Sequence, residues 1–313
     1  MAERLANMIS SERDWEAVNT RADCCERKQR MLRRRLAPRA LALMLSSAAG
    51  EKTCGTSRLR IALVRHGESQ NNIHEAKSWD DYTKYRQPDP DLSERGFEQA
   101  ALLGSYLGDA SASASLGIHP IHELWVSPVK RTLQTMAPTA AALGLSPRVH
   151  TRVFEAGGIY EGDDSYTKYE AHRGLTRAQM SEMFPTYSLP ADVEEDGWFV
   201  DVEGTGKETT AGCRKRAAGV ADEMRAAARA LDAPKNVVLV AHYDFLCALL
   251  DALILGDGAP TDAGFENWRH FNTGVTVIDI EADGGVAVLM ANAVGHLLKD
   301  RTGRQDLVSG FPM

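Results

Sequence analysis

From residue 59 onward, short β-branched runs alternate with longer stretches whose apolar residues recur every three or four positions. Leu59–Val64 reads as a strand and His122–Val126 as a shorter one. Val237–Ala241 is apolar throughout, the pattern of a strand covered on both faces. Val275–Ile280 and Val286–Met290 read as a closing hairpin with Gly284-Gly285 in its turn. Helices fall between the strands. Ser93 N-caps one, with Phe97, Ala100, Ala101, Gly104 and Leu107 on its inner side. Ser127 N-caps a second, with Pro128 at its first position and Leu133, Met136, Ala137 and Ala140 facing inward. A third runs from about Thr210 to Leu231, and a fourth follows Asp244. Strands that alternate with helices predict an α/β fold with a mostly parallel central sheet.

Residues 1–58 do not share this pattern. They hold 12 basic and 7 acidic residues, a charge of +5, against −12 for the remainder. Residues 1–57 therefore read as an N-terminal extension outside the main domain, which spans 58–313. From Met31 the text is a basic start, a short apolar run and a small-residue exit, the composition of a leader. The expected location is cytoplasmic, with organelle targeting as the alternative if the start at Met31 is used.

Over the whole 313-residue chain, 43% of residues are apolar, 25% are charged and the net charge is −7. Those values suit a globular protein and exclude the basic field expected of a nucleic-acid partner. No apolar run reaches the length of a membrane span. Five cysteines without a Cys-x-x-Cys spacing predict neither a disulfide framework nor a zinc site.

The residues that follow the strands carry the chemistry. Arg65-His66-Gly67-Glu68 follows the first, Ser127 and then Arg131 the second, and His242 the apolar third. In open α/β sheets the ligand lies beyond the carboxyl ends of the strands, so two arginines and two histidines converge there. Guanidinium forks match a tetrahedral dianion, and a neutral imidazole is a competent nucleophile. Together they suit phosphoryl transfer without a metal.

Leu63-Val64-Arg65-His66-Gly67-Glu68-Ser69, followed by Asn72, resembles the signature of the histidine phosphatase superfamily, in its phosphoglycerate-mutase-like branch. Asp89–Gly96, Val126–Thr135, Val237–His242, Asn292 and His296-Leu297 extend the resemblance over most of residues 59–297. It implies a three-layer sandwich with a cap insertion, placed here at 156–208. It implies His66 as the phosphorylated nucleophile, with Arg65, Arg131 and His242 on the phosphoryl oxygens and Asn72 as a further donor. The proton donor it implies is Glu155, with Glu161 as rival. One departure stands out: Tyr243 follows the second histidine, where the family usually has glycine.

The implied activity is hydrolysis of a phosphomonoester on a small phosphorylated metabolite or a phosphoprotein, with no cofactor. A phosphoglycerate mutase is one alternative, and a silent phospho-ligand-binding member is another. A mutase needs a second phosphate clamp, and Lys168, Arg173, Arg177 and Lys207, set among many acids, make a poor one. Asn272 reads as a turn residue, His119, His122 and His150 as ordinary histidines, and Cys247 as core packing.

Overall fold

The computed structural model describes residues 57–298 and 307–310. The extension predicted over 1–57, Ser57 apart, and the alternative start at Met31 lie outside the described residues. So do Cys24, Cys25 and Cys54.

Among the described residues eight strands form: β1 (Arg58–Arg65), β2 (Glu123–Val126), β3 (Arg148–Val149), β4 (Tyr160–Gly162), β5 (Tyr169–Ala171), β6 (Lys235–Ala241), β7 (Val275–Glu281) and β8 (Val286–Ala293). Six make one sheet in the order β3-β2-β6-β1-β7-β8. The pairings β3-β2, β2-β6 and β6-β1 are parallel, while β1-β7 and β7-β8 are antiparallel. β4 and β5 form a separate hairpin. The helices are α1 (Gln70–Lys77), α2 (Trp79–Tyr85), α3 (Glu94–Gly108), α4 (Ala110–Ser115), α5 (Lys130–Leu143), α6 (Arg177–Met183), α7 (Thr210–Ala230), α8 (Tyr243–Leu255) and α9 (Gly295–Leu298). Among the described residues no helix is long and apolar enough to cross a membrane.

Side chains on a strand alternate between its faces. β1 sends Ala62 and Val64 to one side, onto Leu103, Leu107, Leu133 and Met136 of α3 and α5. It sends Leu59, Ile61 and Leu63 to the other, onto Val220, Met224, Phe245 and Leu249 of α7 and α8. The result is the expected three-layer α/β sandwich. Ile159, Met180, Phe184, Trp198 and Phe199, from the insertion that follows β3, join the first layer. Where β1 meets β7, Arg60 faces Asp279 in register and holds its carboxylate with two bonds of 2.6 and 2.7 Å.

Two helices differ from their sequence pattern. Phe97 and Ala101 of α3 point outward, and its buried residues are Gly96, Gln99, Ala100, Leu103, Gly104 and Leu107. The reason is close approach: Gly96 packs on the Glu68 backbone and Gly104 on Pro138 of α5, and those contacts set the helix's rotation. α5 starts at Lys130 with Val129 as its N-cap and no capping side chain. Ser127 lies two residues before the N-cap, and its hydroxyl bonds His242 at 2.7 Å and accepts the Val129 N–H at 3.4 Å.

The start of α3 fastens the turn after β1. Ser93 donates from its N–H to Glu68 O (2.8 Å) and from Oγ to Glu68 Oε1 (2.7 Å), and Arg95 reaches Glu68 Oε2 at 2.9 Å. A Cβ on Gly96 would overlap the Glu68 carbonyl, which cannot yield without moving the turn. Gly96→Ala should cost about 1–3 kcal/mol of stability, as overpacking does. Urea unfolding measures it; an unchanged midpoint would contradict this packing.

Candidate active site

β2, β6 and β1 are adjacent and parallel, and Val126, Val240 and Val64 lie in register. The residues just beyond them therefore meet at one edge. The His66 N–H donates to Ala241 O at 3.0 Å and the Ser127 N–H to Val240 O at 3.1 Å, so the ladder continues into the site. His66 and His242 are almost fully buried, with ring centroids 5.3 Å apart.

Arg131 joins the two rings. Its Nε donates to His66 Nε2 and its Nη2 to His242 Nδ1, both at 3.0 Å. A guanidinium only donates, so both nitrogens must be acceptors. The proton of His66 then sits on Nδ1, donated to Gly67 O at 2.7 Å, and that of His242 on Nε2, donated to Ser127 Oγ. Burial, and then the positive charge of Arg131, push both imidazoles well below their usual range. They are neutral rings with lone pairs aimed at one cation.

Arg65 is buried, and burial lowers its own pKa. Its Nη1 donates to His270 O (2.9 Å) and Gly310 O (2.6 Å). The guanidinium carbon lies 5.1 Å from the ring centre of Tyr243. The residue that replaces the family's glycine thus backs Arg65, and its hydroxyl donates to Trp268 O at 3.1 Å. Asn72 sits in the first turn of α1. Its Oδ1 accepts from the Ser69 N–H and Oγ in a capping box, and its Nδ2 donates to Glu75 Oε2. Asn272 sits in the turn closed by the Gly274 N–H on Phe271 O (2.9 Å), as its sequence context predicts, and is also fully buried and donates from Nδ2 to His66 O at 3.0 Å.

The structure brings Glu155 into the cluster and leaves Glu161 out. One ligand atom each of His66, Glu155 and His242 lie within 4.8 Å of one another. Glu161 is on β4, exposed and paired with His172 at 3.2 Å. Glu155 Oε1 accepts the N–H groups of Ala156 (2.9 Å) and of Phe245 in the first turn of α8 (3.1 Å). Burial raises its pKa against the pull of Arg131. Asp244 is a second carboxyl in the neighbourhood, pushed up to about 8 by burial and then by Glu155. Arg216 of α7 pins the loop that carries Glu155: it donates to Arg152 O and Phe154 O, lies 3.5 Å over the Phe154 ring and pairs with Glu208 at 2.6 Å.

His66, Glu155 and His242 are the one grouping among the described residues whose ligand atoms could meet a metal ion. A divalent cation there would face the Arg131 guanidinium bonded to both histidines. A neighbouring wall is aromatic and cationic. Arg86 lies 3.7 Å over the ring of Tyr160, donates to Tyr82 Oη at 3.1 Å and acts electrostatically on Arg131. Lys207 lies 4.7 and 4.8 Å from the ring centres of Tyr160 and Tyr169.

Histidine ring nitrogen shifts should show His66 as the Nδ1–H tautomer and His242 as the Nε2–H tautomer. A pKa lowered below the usual ~6.5 means the neutral form persists as pH falls through that value. Both rings should therefore stay neutral at pH ~6.5, where an unperturbed imidazole is half charged. A titration of either near ~6.5 would contradict the described network.

Among curated proteins, none matches the chain. Several solved structures are similar. A mycobacterial glucosyl-3-phosphoglycerate phosphatase is 22% identical, covering 75% of this chain and 98% of that one, with a TM-score of 0.46. A phosphoserine phosphatase from Entamoeba histolytica is 19% identical, covering 77% and 100%, with a TM-score of 0.47. Bacillus stearothermophilus YhfR is 20% identical, covering 76% and 99%, with a TM-score of 0.46. The family model of the histidine phosphatase superfamily, branch 1, matches residues 61–293, from the first strand through both histidines to the closing hairpin. The chain belongs to that superfamily.

Proposed function

We propose that the protein is a phosphomonoester hydrolase that works through a phosphohistidine on His66. The observation that supports this most directly is the Arg131 guanidinium bonded at 3.0 Å to nitrogens of two neutral, buried histidines. The Nε2 lone pair of His66 is the nucleophile. When a phosphoryl group arrives, Arg131 exchanges its histidine bonds for phosphoryl oxygens. Arg65 takes others, and Asn72 joins them by releasing Glu75; His242 joins only if its Nδ1, freed from Arg131, takes up a proton while Nε2–H stays on Ser127 Oγ. Phosphoryl transfer is chiefly positioning and charge neutralisation, and two guanidiniums supply both.

In the first step the Nε2–P bond forms, the P–O bond to the alcohol breaks, and Glu155 gives its proton to the leaving oxygen. With Oε1 held by two backbone N–H groups, the proton belongs on Oε2. A raised pKa keeps that proton available nearer neutral pH than an ordinary carboxyl would. In the second step water attacks phosphorus, the P–N bond breaks, and Glu155 takes a proton from the water. Inorganic phosphate leaves and the enzyme returns to its starting protonation.

The cations of the insertion favour hydrolysis over transfer between two phosphate sites. Arg173 is spent on Glu194 and Asp196 at 3.0 and 2.9 Å, Arg177 bonds the carbonyls of Val193 and Pro190, and Lys168 is exposed. Lys207 and Arg86 remain beside the tyrosines. Residues 156–208 then serve as a cap that shapes the space for the leaving group. The substrate class is a small phosphorylated metabolite or a phosphoprotein.

Purified protein should hydrolyse p-nitrophenyl phosphate in the presence of EDTA; absence of turnover would favour a silent ligand-binding member, and strict dependence on a divalent ion would contradict the charge argument. In single-turnover experiments Glu155→Gln should slow phosphorylation of the enzyme by an alkyl phosphate by about 10²–10⁴-fold. The loss with p-nitrophenyl phosphate should be much smaller, because p-nitrophenolate leaves without a proton. Equal losses with both would show that Glu155 positions phosphate and donates no proton.

A further inference from the structure

The turn that carries the nucleophile is held from behind by a segment up to 245 residues further along the chain. Leu307–Gly310 lies against Arg65, Gln99 and Asn272, and Leu307 is fully buried. Gln99 Nε2 donates to Leu307 O (2.7 Å) and Ser309 Oγ (2.9 Å), while its Oε1 accepts the Glu68 N–H at 2.8 Å. Asn272 donates its N–H to Ser309 O (2.9 Å), and its Oδ1 accepts from Ser309 Oγ (3.0 Å). Its Nδ2 holds His66 O. The third contact is direct: Arg65 Nη1 donates to Gly310 O at 2.6 Å. One short segment therefore meets Arg65 itself, His66 through Asn272, and Glu68 through Gln99.

We infer that Leu307–Gly310 is a positioning element for the phosphate site, with Ser309 and Gly310 setting the direction of the Arg65 guanidinium. This rests on the proposed role of Arg65 in gripping a phosphoryl oxygen. A guanidinium is planar, so fixing one nitrogen and covering one face fixes where its remaining N–H groups point. The carbonyls of Gly310 and His270 fix Nη1, and Tyr243 covers the face. Gly310 has φ +97, a conformation glycine tolerates and L side chains rarely adopt. A Cβ there would overlap Asn272 Oδ1 and stand 2.6 Å from Arg65 Nη1. Its lack of a side chain gives Arg65 its place.

The test uses the full chain and inorganic phosphate as the probe, with affinity read by calorimetry and folding by thermal unfolding. Gly310→Ala should weaken phosphate binding by about tenfold or more, the scale of a misplaced charge-assisted hydrogen bond. Ser309→Ala, which loses the hydroxyl contacts to Gln99 and Asn272, should weaken it in the same direction. Ser309→Thr, which keeps a hydroxyl, should restore it. In turnover of p-nitrophenyl phosphate the loss should show as a raised KM as well as a lowered kcat. Should Gly310→Ala not fold, the Ser309 pair carries the test alone. Unchanged phosphate affinity in Ser309→Ala and in folded Gly310→Ala, beside a large loss in Arg65→Ala, would overturn the inference and leave the proposed function standing. A loss of thermal stability with phosphate affinity intact would reduce the segment to a structural strap and also overturn it. Unchanged phosphate affinity in Arg65→Ala would remove Arg65 from the phosphate site, and the inference with it.

Discussion

One guanidinium, that of Arg131, donates to Nε2 of His66 and to Nδ1 of His242 at 3.0 Å each, and this pair of bonds determines what both rings can do. It makes each bonded nitrogen an acceptor, sends the protons to the far sides, and disfavours the charged form of both rings. In the proposed mechanism the same cation would meet the charge of a phosphoryl dianion. The rest of the fold brings these three groups together: β1, β2 and β6 end side by side, and His66, Arg131 and His242 follow within a few residues of the strand ends.

Bringing cations and neutral rings into one buried site is costly, and the surroundings show how the cost is distributed. Arg65 Nε and both ring nitrogens of His270 are buried without a hydrogen-bond partner among the described residues. Each such group costs about 1–3 kcal/mol. Burial, with Arg65 nearby, pushes the His270 imidazole down to about 3, so it stays neutral there. Against those costs stand two apolar layers on the sheet and a fully buried polar pair, Gln99 and Asn272, that satisfies the backbone of the nucleophile turn.

Much of this could be read from the chain because strand ends announce themselves. A β-branched run followed by Arg65-His66, by Ser127 or by His242 places those residues on one sheet edge by topology alone. Ser127 was legible as a strand-end residue but not as the partner of His242, since a Ser-Pro start reads as a helix cap whatever lies across the site. The rotation of α3 was hidden because Gly96 and Gly104 owe their burial to close backbone approach, which apolar periodicity does not record. Gln99 was hidden with it, because it lies on the face that this rotation buries and off the face the apolar pattern predicts. Asn272 left no signal beyond its turn, since its work depends on Ser309, which is 37 residues further on. Glu155 was a candidate through the family resemblance, with Glu161 as rival, whereas its raised pKa follows from burial that only the folded molecule supplies.

The central claim is that the neutral Nε2 of His66 takes the phosphoryl group. Rapid quenching of the enzyme with a labelled phosphomonoester measures this directly. The account predicts a base-stable, acid-labile phosphoryl adduct that maps to His66, forms before product phosphate accumulates, and is absent from His66→Ala. Turnover by His66→Ala near the wild-type rate, or an adduct on another residue, would contradict it.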